Sequence, residues 1–323
     1  MNITILTKNN PFYVSSASAN RLRSLIEGLQ KKEIEVQLWI THGYTELSEK
    51  EKMGVSGVHN EIRYEYLSTN LTDSLWKRRF DSYIGTFFKA IKLKRKLKRK
   101  LATSDQIIWV PKDHLLWKVM HTIKKKNSSL KLFCEMSEFL DIHKYNKGNF
   151  LQRFKGDRAQ KFFEKTFIYD LDGFALMTKT LFEHYQNFEG NLPEMIHLPM
   201  TVDQERFQKI KPKLDGFIQP YIAFVGVMNN AKDGVDILLK AFKNISNDFP
   251  EYNLYLVGPW NYDTPSHLGM IKNYGLQDRI VWKGAFDRDQ IPNIIQNADL
   301  LVLPRPDSKQ AQGGFPTKLG EYL

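Results

Sequence analysis

Tyr221-Ile222-Ala223-Phe224-Val225-Gly226 is an apolar stretch that ends in glycine, and it decides the fold of the chain. It has the length of a buried strand. The turn Asn229-Asn230-Ala231-Lys232-Asp233-Gly234 follows, and the amphipathic segment from Asp236 to Ile245 then predicts a helix. A buried strand, a short turn and a helix together form the repeating step of a parallel α/β sheet.

The same step recurs on both sides of this stretch. Downstream, three more strands are predicted at Tyr252–Gly258, Ile280–Trp282 and Leu300–Leu303. Upstream, a strand at Ile3–Leu6, a helical stripe from Leu22 to Leu29 and a strand at Val36–Ile40 begin an earlier series. Its further predicted strands are Gln106–Val110, Leu130–Cys134, Gly173–Met177 and Met195–Leu198. Two separate series predict an α/β protein of two Rossmann-like domains, residues 1–203 and 204–323, joined around Gln204–Gln219.

Composition excludes several classes of protein. The 323 residues are 42% hydrophobic and 26% charged, and no apolar run approaches the roughly 20 residues of a membrane span. The first residues read as a strand rather than a signal peptide, which predicts a cytoplasmic protein. Cys134 is alone, so no internal disulfide forms, and we expect it to be buried. The eight histidines are not spaced as metal ligands are, so we expect no metal. No phosphate-binding or dinucleotide-binding glycine motif occurs, so we expect no cofactor.

The net charge of +11 is concentrated in one block. Residues 89–100 are mostly lysine and arginine, and Lys77, Arg78 and Arg79 lie just upstream. Apolar residues recur within the block at three- and four-residue steps, at Phe87, Ala90, Leu93, Leu97 and Leu101. This pattern predicts a cationic amphipathic helix that lies on an anionic membrane surface through residues 77–101. The alternative is an ordinary helix with its apolar edge packed inward; binding to nucleic acid is not expected, because no recognisable motif for it accompanies the charge.

Lys232 lies in the turn between the strand ending at Gly226 and the following helix. Such a turn presents backbone NH groups to an anion, and a lysine adds a full charge. A solvated surface lysine is the simpler alternative.

A succession of motifs follows in order. These are Leu256-Val257-Gly258-Pro259, Val281-Trp282-Lys283-Gly284, the run Ala298-Asp299-Leu300-Leu301-Val302-Leu303-Pro304-Arg305, and Gly313-Gly314-Phe315-Pro316-Thr317-Lys318-Leu319-Gly320-Glu321. This order resembles the donor-binding domain of the retaining, two-Rossmann-domain (GT-B) enzymes of glycosyltransferase family four. The resemblance is specific over about residues 196–323 and looser over the N-terminal domain.

The resemblance implies a donor site at the ends of these strands. Glu321 matches the second motif glutamate, which holds the ribose hydroxyls; a plain complement to the helix dipole is its simpler alternative. Gly313 stands where the first motif glutamate is expected, so Gln312 or the backbone NH groups of Gly313, Gly314 and Phe315 are candidates to replace it. The resemblance implies that Lys232 binds the diphosphate, with Arg305 and Lys318 as further cations. The strand-end glycines of the donor site are Gly226, Gly258 and Gly284.

On the acceptor side the resemblance points to a loop and a strand end. The loop after the first strand supplies Ser15, Ser16, Asn20 and Arg21, although its serines also fit a plain helix cap. At the strand end, Ser137 replaces a histidine found in many relatives and Glu138 keeps the acid that follows it. Ser137, Glu138 and Lys232 are therefore the candidate catalytic residues.

The resemblance implies transfer of a sugar from a nucleotide-sugar donor to a glycan or lipid-linked acceptor, with retention of configuration, in surface polysaccharide synthesis. The donor is expected in a cleft between the domains. A nucleotide-binding or membrane-docking protein that has lost catalysis is an alternative. Because such a domain has further elements after Glu321, we expect the C-terminal domain to be incomplete and the chain truncated. Its predicted location is the cytoplasm, at the inner face of the membrane.

Overall fold

The computed structural model describes residues 2–14, 16–71, 86–101, 107–140, 150–202, 204–208, 212 and 214–323. The chain forms two compact α/β units, Met1–Thr201 and Val202–Leu323. The predicted α/β class, with two Rossmann-like units, is confirmed.

The first unit is built on a large sheet. Its strands are β1 (Asn2–Thr7), β2 (Glu35–Ile40), β3 (Ser56–His59), β4 (Ile62–Tyr66), β5 (Ile107–Val110), β6 (Lys131–Met136), β7 (Gly173–Leu176) and β8 (Glu194–His197). Across the described residues the strand order is β3-β4-β2-β1-β5-β6-β7-β8. Only the β3–β4 pair among these is antiparallel. The strands predicted in this unit are thus confirmed, with ends that differ by one or two residues.

Helices cover both faces of this sheet. They are α1 (Ala17–Gln30), α2 (Leu47–Met53), α3 (Thr86–Lys100), α4 (His114–Lys124), α5 (Phe150–Lys165) and α6 (Lys179–Gln186). Successive residues of β1 point to opposite faces, so Ile5 joins the core beneath α1 and α2 while Leu6 joins the core beneath α3 to α6. Cys134 is fully buried in the second of these cores, as expected.

The β3–β4 hairpin was missed by the sequence analysis. Its turn uses Asn60 and Glu61, which both have positive φ angles, 47° and 66°. Two such residues in succession make the tight hairpin turn whose twist suits antiparallel strands. The alternation Ile62, Tyr64, Tyr66, with all three buried, was the available signal.

The second unit has a smaller parallel sheet. Its strands are β9 (Tyr221–Val225), β10 (Asn253–Val257), β11 (Ile280–Gly284) and β12 (Leu300–Leu301), in the order β11-β10-β9-β12 among the described residues. The helices are α7 (Asn230–Asp233), α8 (Val235–Ile245), α9 (Thr264–Tyr274), α10 (Ile291–Gln296), α11 (Lys309–Gly313) and α12 (Thr317–Tyr322). The predicted elements are confirmed, except that β11 runs two residues further and β12 ends two residues earlier than predicted.

The basic block forms α3, whose apolar edge packs inward. Leu97 and Leu101 are buried in the core and Leu93 packs against it. Lys96 and Lys100 pair with Glu65 at 3.4 and 2.5 Å. The described leucines therefore make the contacts of an ordinary packed helix, and binding of residues 77–101 to a membrane surface stays a prediction. The upstream cations at positions 77–79 lie outside the described residues, and no described helix is long and apolar enough to cross a membrane.

Candidate functional site

The carboxyl ends of the second unit's strands approach each other closely at glycines. A Cβ on Gly258 would lie 1.9 Å from the carbonyl oxygen of Gly226, and a Cβ on Gly234 would lie 1.9 Å from that of Pro304. No side chain fits at either position. The loops after β9, β10 and β12 therefore meet as bare backbone at this edge of the sheet, where open α/β sheets bind their ligands.

The turn that carries Lys232 is held by its neighbours. Asn229 caps α7 by accepting a hydrogen bond from the backbone NH of Lys232 at 2.8 Å. Asp263 accepts from the NH of Asn230 at 3.0 Å, and Nε2 of buried His267 lies 2.6 Å from the Asn230 side-chain oxygen. The Lys232 side chain itself is exposed and extends from a fixed turn.

Lys318, on α12, lies beside the turn that carries Lys232. Its Nζ lies 2.8 Å from Oδ1 of Asp233 and 4.2 Å above the ring of Phe224. It also fills the space beside Gly226, where a Cβ would come within 2.5 Å of Nζ. Burial lowers the pKa of Lys318, Asp233 opposes that effect, and the positive charges of Lys232 and Arg305 add to it. The structure thus brings together the three predicted cations Lys232, Arg305 and Lys318.

Arg305 organises the loop that follows β12. Its guanidinium donates to the carbonyl oxygens of Gly314 at 3.1 Å and Gln310 at 3.5 Å. Gly313 is buried, and the Gln312 amide donates to Asp307 at 3.0 Å. The part assigned to Gln312, Gly313, Gly314 and Phe315 in place of the missing glutamate stays a prediction. Gly284 is the last residue of β11 and has a φ of 76°. No atom lies within 4 Å of the position that a Cβ would take there.

Glu321 is held by a residue that the sequence analysis missed. Nη1 of Arg206 donates to its Oε1 at 3.0 Å, while Nη2 donates to the Arg288 carbonyl at 2.5 Å. The two partners are 115 residues apart, so no local pattern pointed to them. Next to Glu321, the Tyr322 hydroxyl accepts from the NH of Val225 at 2.9 Å, and burial raises its pKa to about 12. These contacts fix the end of α12 against Arg206 and against the end of β9.

The first unit has its own charged cluster at the carboxyl ends of its strands. Nζ of Lys112, just after β5, lies 3.4 Å from Oε1 of Glu138, which follows β6 with the exposed Ser137. Lys8, just after β1, pairs with Asp113 at 3.0 Å. Burial lowers the pKa of Lys112, and Glu138 opposes that effect. Lys112 was also missed, because its signal was only a lysine after a strand.

The predicted acceptor loop has mainly structural contacts. The Ser16 hydroxyl caps α1 by accepting from the NH of Ala19 at 3.2 Å, and Asn20 accepts from Arg23. Arg21 is 5% exposed and donates to Glu135 and to the carbonyl oxygens of Leu198 and Pro199. These are the contacts of the simpler alternative, a helix cap, so acceptor binding here stays a prediction. Ser15 lies outside the described residues.

The second unit's site is suited to one kind of ligand. Three cations and a set of bare backbone loops can neutralise a diphosphate without a metal ion. Glu321, on the same helix as Lys318, has a carboxylate that can accept hydrogen bonds from a pair of adjacent hydroxyls.

Known structures share this architecture. Sucrose-phosphate synthase from Thermosynechococcus elongatus is 16% identical, with a TM-score of 0.70 over 94% of this chain and 75% of that one. The lipopolysaccharide outer core galactosyltransferase WaaB in its apo form is 14% identical, with a TM-score of 0.62 over 99% and 77%. An E. coli structure described as trehalose-6-phosphate bound with UDP-2-fluoro glucose is 11% identical, with a TM-score of 0.64 over 100% and 81%. A comparison with curated protein sequences finds no match.

These likenesses define the fold as that of the GT-B glycosyltransferases. Residues 219–323, which contain the cation cluster and Glu321, match a family model as well. That model describes the family Glycosyl transferases group 1.

Proposed function

We propose that the protein transfers a sugar from a nucleotide-sugar donor to a glycan or lipid-linked acceptor, with retention of anomeric configuration, in the synthesis of bacterial surface polysaccharide. One observation carries the proposal: Lys318 lies beside Gly226 at the end of β9, near enough to Lys232 and Arg305 for their charges to act on it, within the unit that also presents Glu321. A nucleoside diphosphate offers the matching groups, two phosphates and a ribose diol.

The main catalytic contribution is stabilisation of the leaving group. As the bond between the sugar and the diphosphate breaks, negative charge grows on the phosphate oxygens. Lys232 is exposed on a fixed turn and neutralises this charge by direct contact. Lys318 is already held by Asp233 at 2.8 Å, so its ammonium group keeps its position and needs little reorganisation when a phosphate binds.

Glu321 acts on the other end of the donor. Its carboxylate accepts hydrogen bonds from the ribose hydroxyls, while the guanidinium of Arg206 orients it. On the acceptor side, Ser137 and Glu138 remain the candidates, with Lys112 beside Glu138. No metal or cofactor has a part in this scheme.

Binding of UDP and GDP to the full chain tests the donor site. Lys232→Ala should weaken binding at least tenfold without loss of stability, because the side chain is exposed and its backbone contacts remain. Lys240→Ala removes an exposed lysine of α8 that pairs only loosely, at 4.0 Å, and is the matched control. Equal binding by wild type and Lys232→Ala would exclude the phosphate role of Lys232.

The substitution at Gly313 favours one other candidate, a GT-B protein that binds nucleotide but has lost transfer. Radiolabelled UDP-sugars and GDP-sugars, incubated with the full chain and extracted lipid or glycan acceptors, separate the two. Sugar transfer, or donor hydrolysis above the rate without protein, supports the enzyme. Nucleotide binding with neither reaction supports the lapsed protein.

A further inference from the structure

The first turns of α5 expose a group of apolar side chains. Phe150 is 80% exposed, Leu151 51% and Phe154 50%. The two phenylalanine rings stack on each other, with centroids 6.5 Å apart and an interplanar angle of 17°. Side chains of this size are usually covered, and a contiguous exposed group marks a surface that binds something.

Cations continue directly from this group. The guanidinium of Arg158 lies 5.8 Å from the centroid of the Phe154 ring, and Lys118 of the neighbouring α4 lies 5.9 Å from the Phe162 ring. Arg158 and Lys118 are close enough for each to repel the other's charge. The sequence of α5 has five lysines and arginines against two acids, and that of α4 has no acid. The exposed apolar residues at the start of α5 are therefore followed by positively charged side chains on α5 and the neighbouring α4.

The described side chains of helix α3 add charge to this region. It packs against α4, which also contacts α5. Lys92, Arg95, Lys98 and Arg99 of α3 are exposed, whereas Leu97 and Leu101 are buried. The block that the sequence marked as amphipathic thus has no free apolar stripe along its described leucines, and the exposed apolar group lies on a different helix.

We propose that the start of α5 is the element by which the protein docks on an anionic lipid bilayer. Phe150, Leu151 and Phe154 enter the interface between headgroups and acyl chains, and Arg158, Lys118 and the exposed cations of α3 meet lipid phosphates. The aromatic and aliphatic side chains match the acyl-chain region of one leaflet, and the cations behind them match the phosphates of its headgroup region. A second copy of this chain fits less well, since a symmetric contact would place these cations against their own copies. Docking does not depend on sugar transfer.

Flotation of the full chain with vesicles tests the proposal. One set contains phosphatidylcholine alone, and the other also contains phosphatidylglycerol. Wild type should bind the anionic vesicles, and Phe150→Ser/Phe154→Ser should weaken that binding about tenfold at low and high salt alike. Lys118→Ala/Arg158→Ala should weaken it at low salt and less so at high salt, because added ions screen the charges.

Val58→Ser is the matched control, since Val58 is 66% exposed on β3 of the same unit. It should bind as wild type does, and circular dichroism should show all variants folded. Three outcomes would overturn the proposal: wild type that ignores anionic vesicles, aromatic variants that bind unchanged, or wild type that self-associates in solution until Phe150 and Phe154 are replaced. Binding to single-stranded RNA in place of vesicles would assign the surface to nucleic acid.

Discussion

Lys318 is a buried lysine whose charge is compensated by its neighbours. Its ammonium group is largely buried, yet it pairs with a buried Asp233 and rests on the ring of Phe224. Removing one partner of such a pair leaves an uncompensated charge, so its geometry is held firmly. The ammonium group of Lys318 is therefore fixed in place beside Asp233, while the exposed Lys232 can move onto a ligand.

Arg206 gives a prediction at the same scale. Arg206→Ala should weaken UDP binding several-fold, because Glu321 loses the guanidinium that orients it. Binding of 2′-deoxy-UDP should be affected less, since one of the hydroxyls that Glu321 would hold is missing. Isothermal titration of both ligands into wild type, Arg206→Ala, Glu321→Ala and the double variant measures the coupling. Strictly additive losses in the double variant would contradict a positioning role.

Among individual residues, the sequence identified those that belong to local motifs. Lys232 follows a strand and Glu321 ends a motif, so both could be singled out as candidates. Arg206 and Lys112 were missed, because each acquires its role from a partner on another element. Arg21 was found for a different reason: it lies in the predicted loop, but the fold buries it against Glu135 and two carbonyl oxygens.

At the scale of elements, the strand-end glycines allow a direct test. Gly258→Ala should destabilise the protein by about 1 to 3 kcal/mol, because the new methyl group would meet the carbonyl of Gly226. Gly269→Ala is the control, since no atom lies within 4 Å of its added Cβ and it sits inside α9. This change should raise stability by up to about 1 kcal/mol. Urea unfolding with unchanged slopes measures both, and a Gly258→Ala protein as stable as wild type would refute the close approach.

The packing between α4 and α5 predicts a pH dependence. His114 lies against Trp117 and Phe162, and its Nε2 has no hydrogen-bond partner among the described residues. Burial lowers its pKa to about 4; Lys118 and Arg158 act in the same direction and Asp113 opposes them. The unfolded chain takes up this proton near pH 6.5, so stability falls as the pH drops from about 6.5 to about 4.

For a half-buried group, we expect this loss to be about 1 to 2 kcal/mol after solvent screening. Urea unfolding of His114→Phe should show a smaller loss over that pH window. His59→Phe, at an exposed position on β3, is the control and should lose stability as wild type does. An identical pH profile for His114→Phe would show that another group is responsible.

The helices and strands were predictable where the apolar residues followed a regular pattern over many residues. The strands of both series and helix α8 follow from buried runs and an amphipathic stripe. The β3–β4 hairpin was missed because its signal is a four-residue strand and a turn without glycine. Helix α3 was correctly predicted as amphipathic, but the partner of its apolar edge was not, since a stripe has the same pattern against a core and against a membrane.

At the scale of the whole molecule, the two units should respond differently to nucleotide. Saturating UDP or GDP should slow hydrogen exchange in the loops at 226–234 and 305–321 of the second unit, because ligand binding raises the free energy of local opening there. Mass spectrometry of peptides from these loops measures the effect. Peptides covering β7 and α6 of the first unit serve as an internal control. Protection confined to the first unit would contradict the assigned donor site.

The sequence by itself determined the two α/β series, the glycine ends of the strands and the place of Lys232, Lys318 and Glu321 within them. These features depend on the order of apolar and polar residues over short distances, which the chain carries locally. Tertiary structure alone decided that Lys318 pairs with Asp233, that Arg206 holds Glu321, that α3 buries its leucines and that α5 leaves its aromatic tip exposed. Each of these depends on which surfaces meet when distant segments pack, and a local pattern does not specify its own partner.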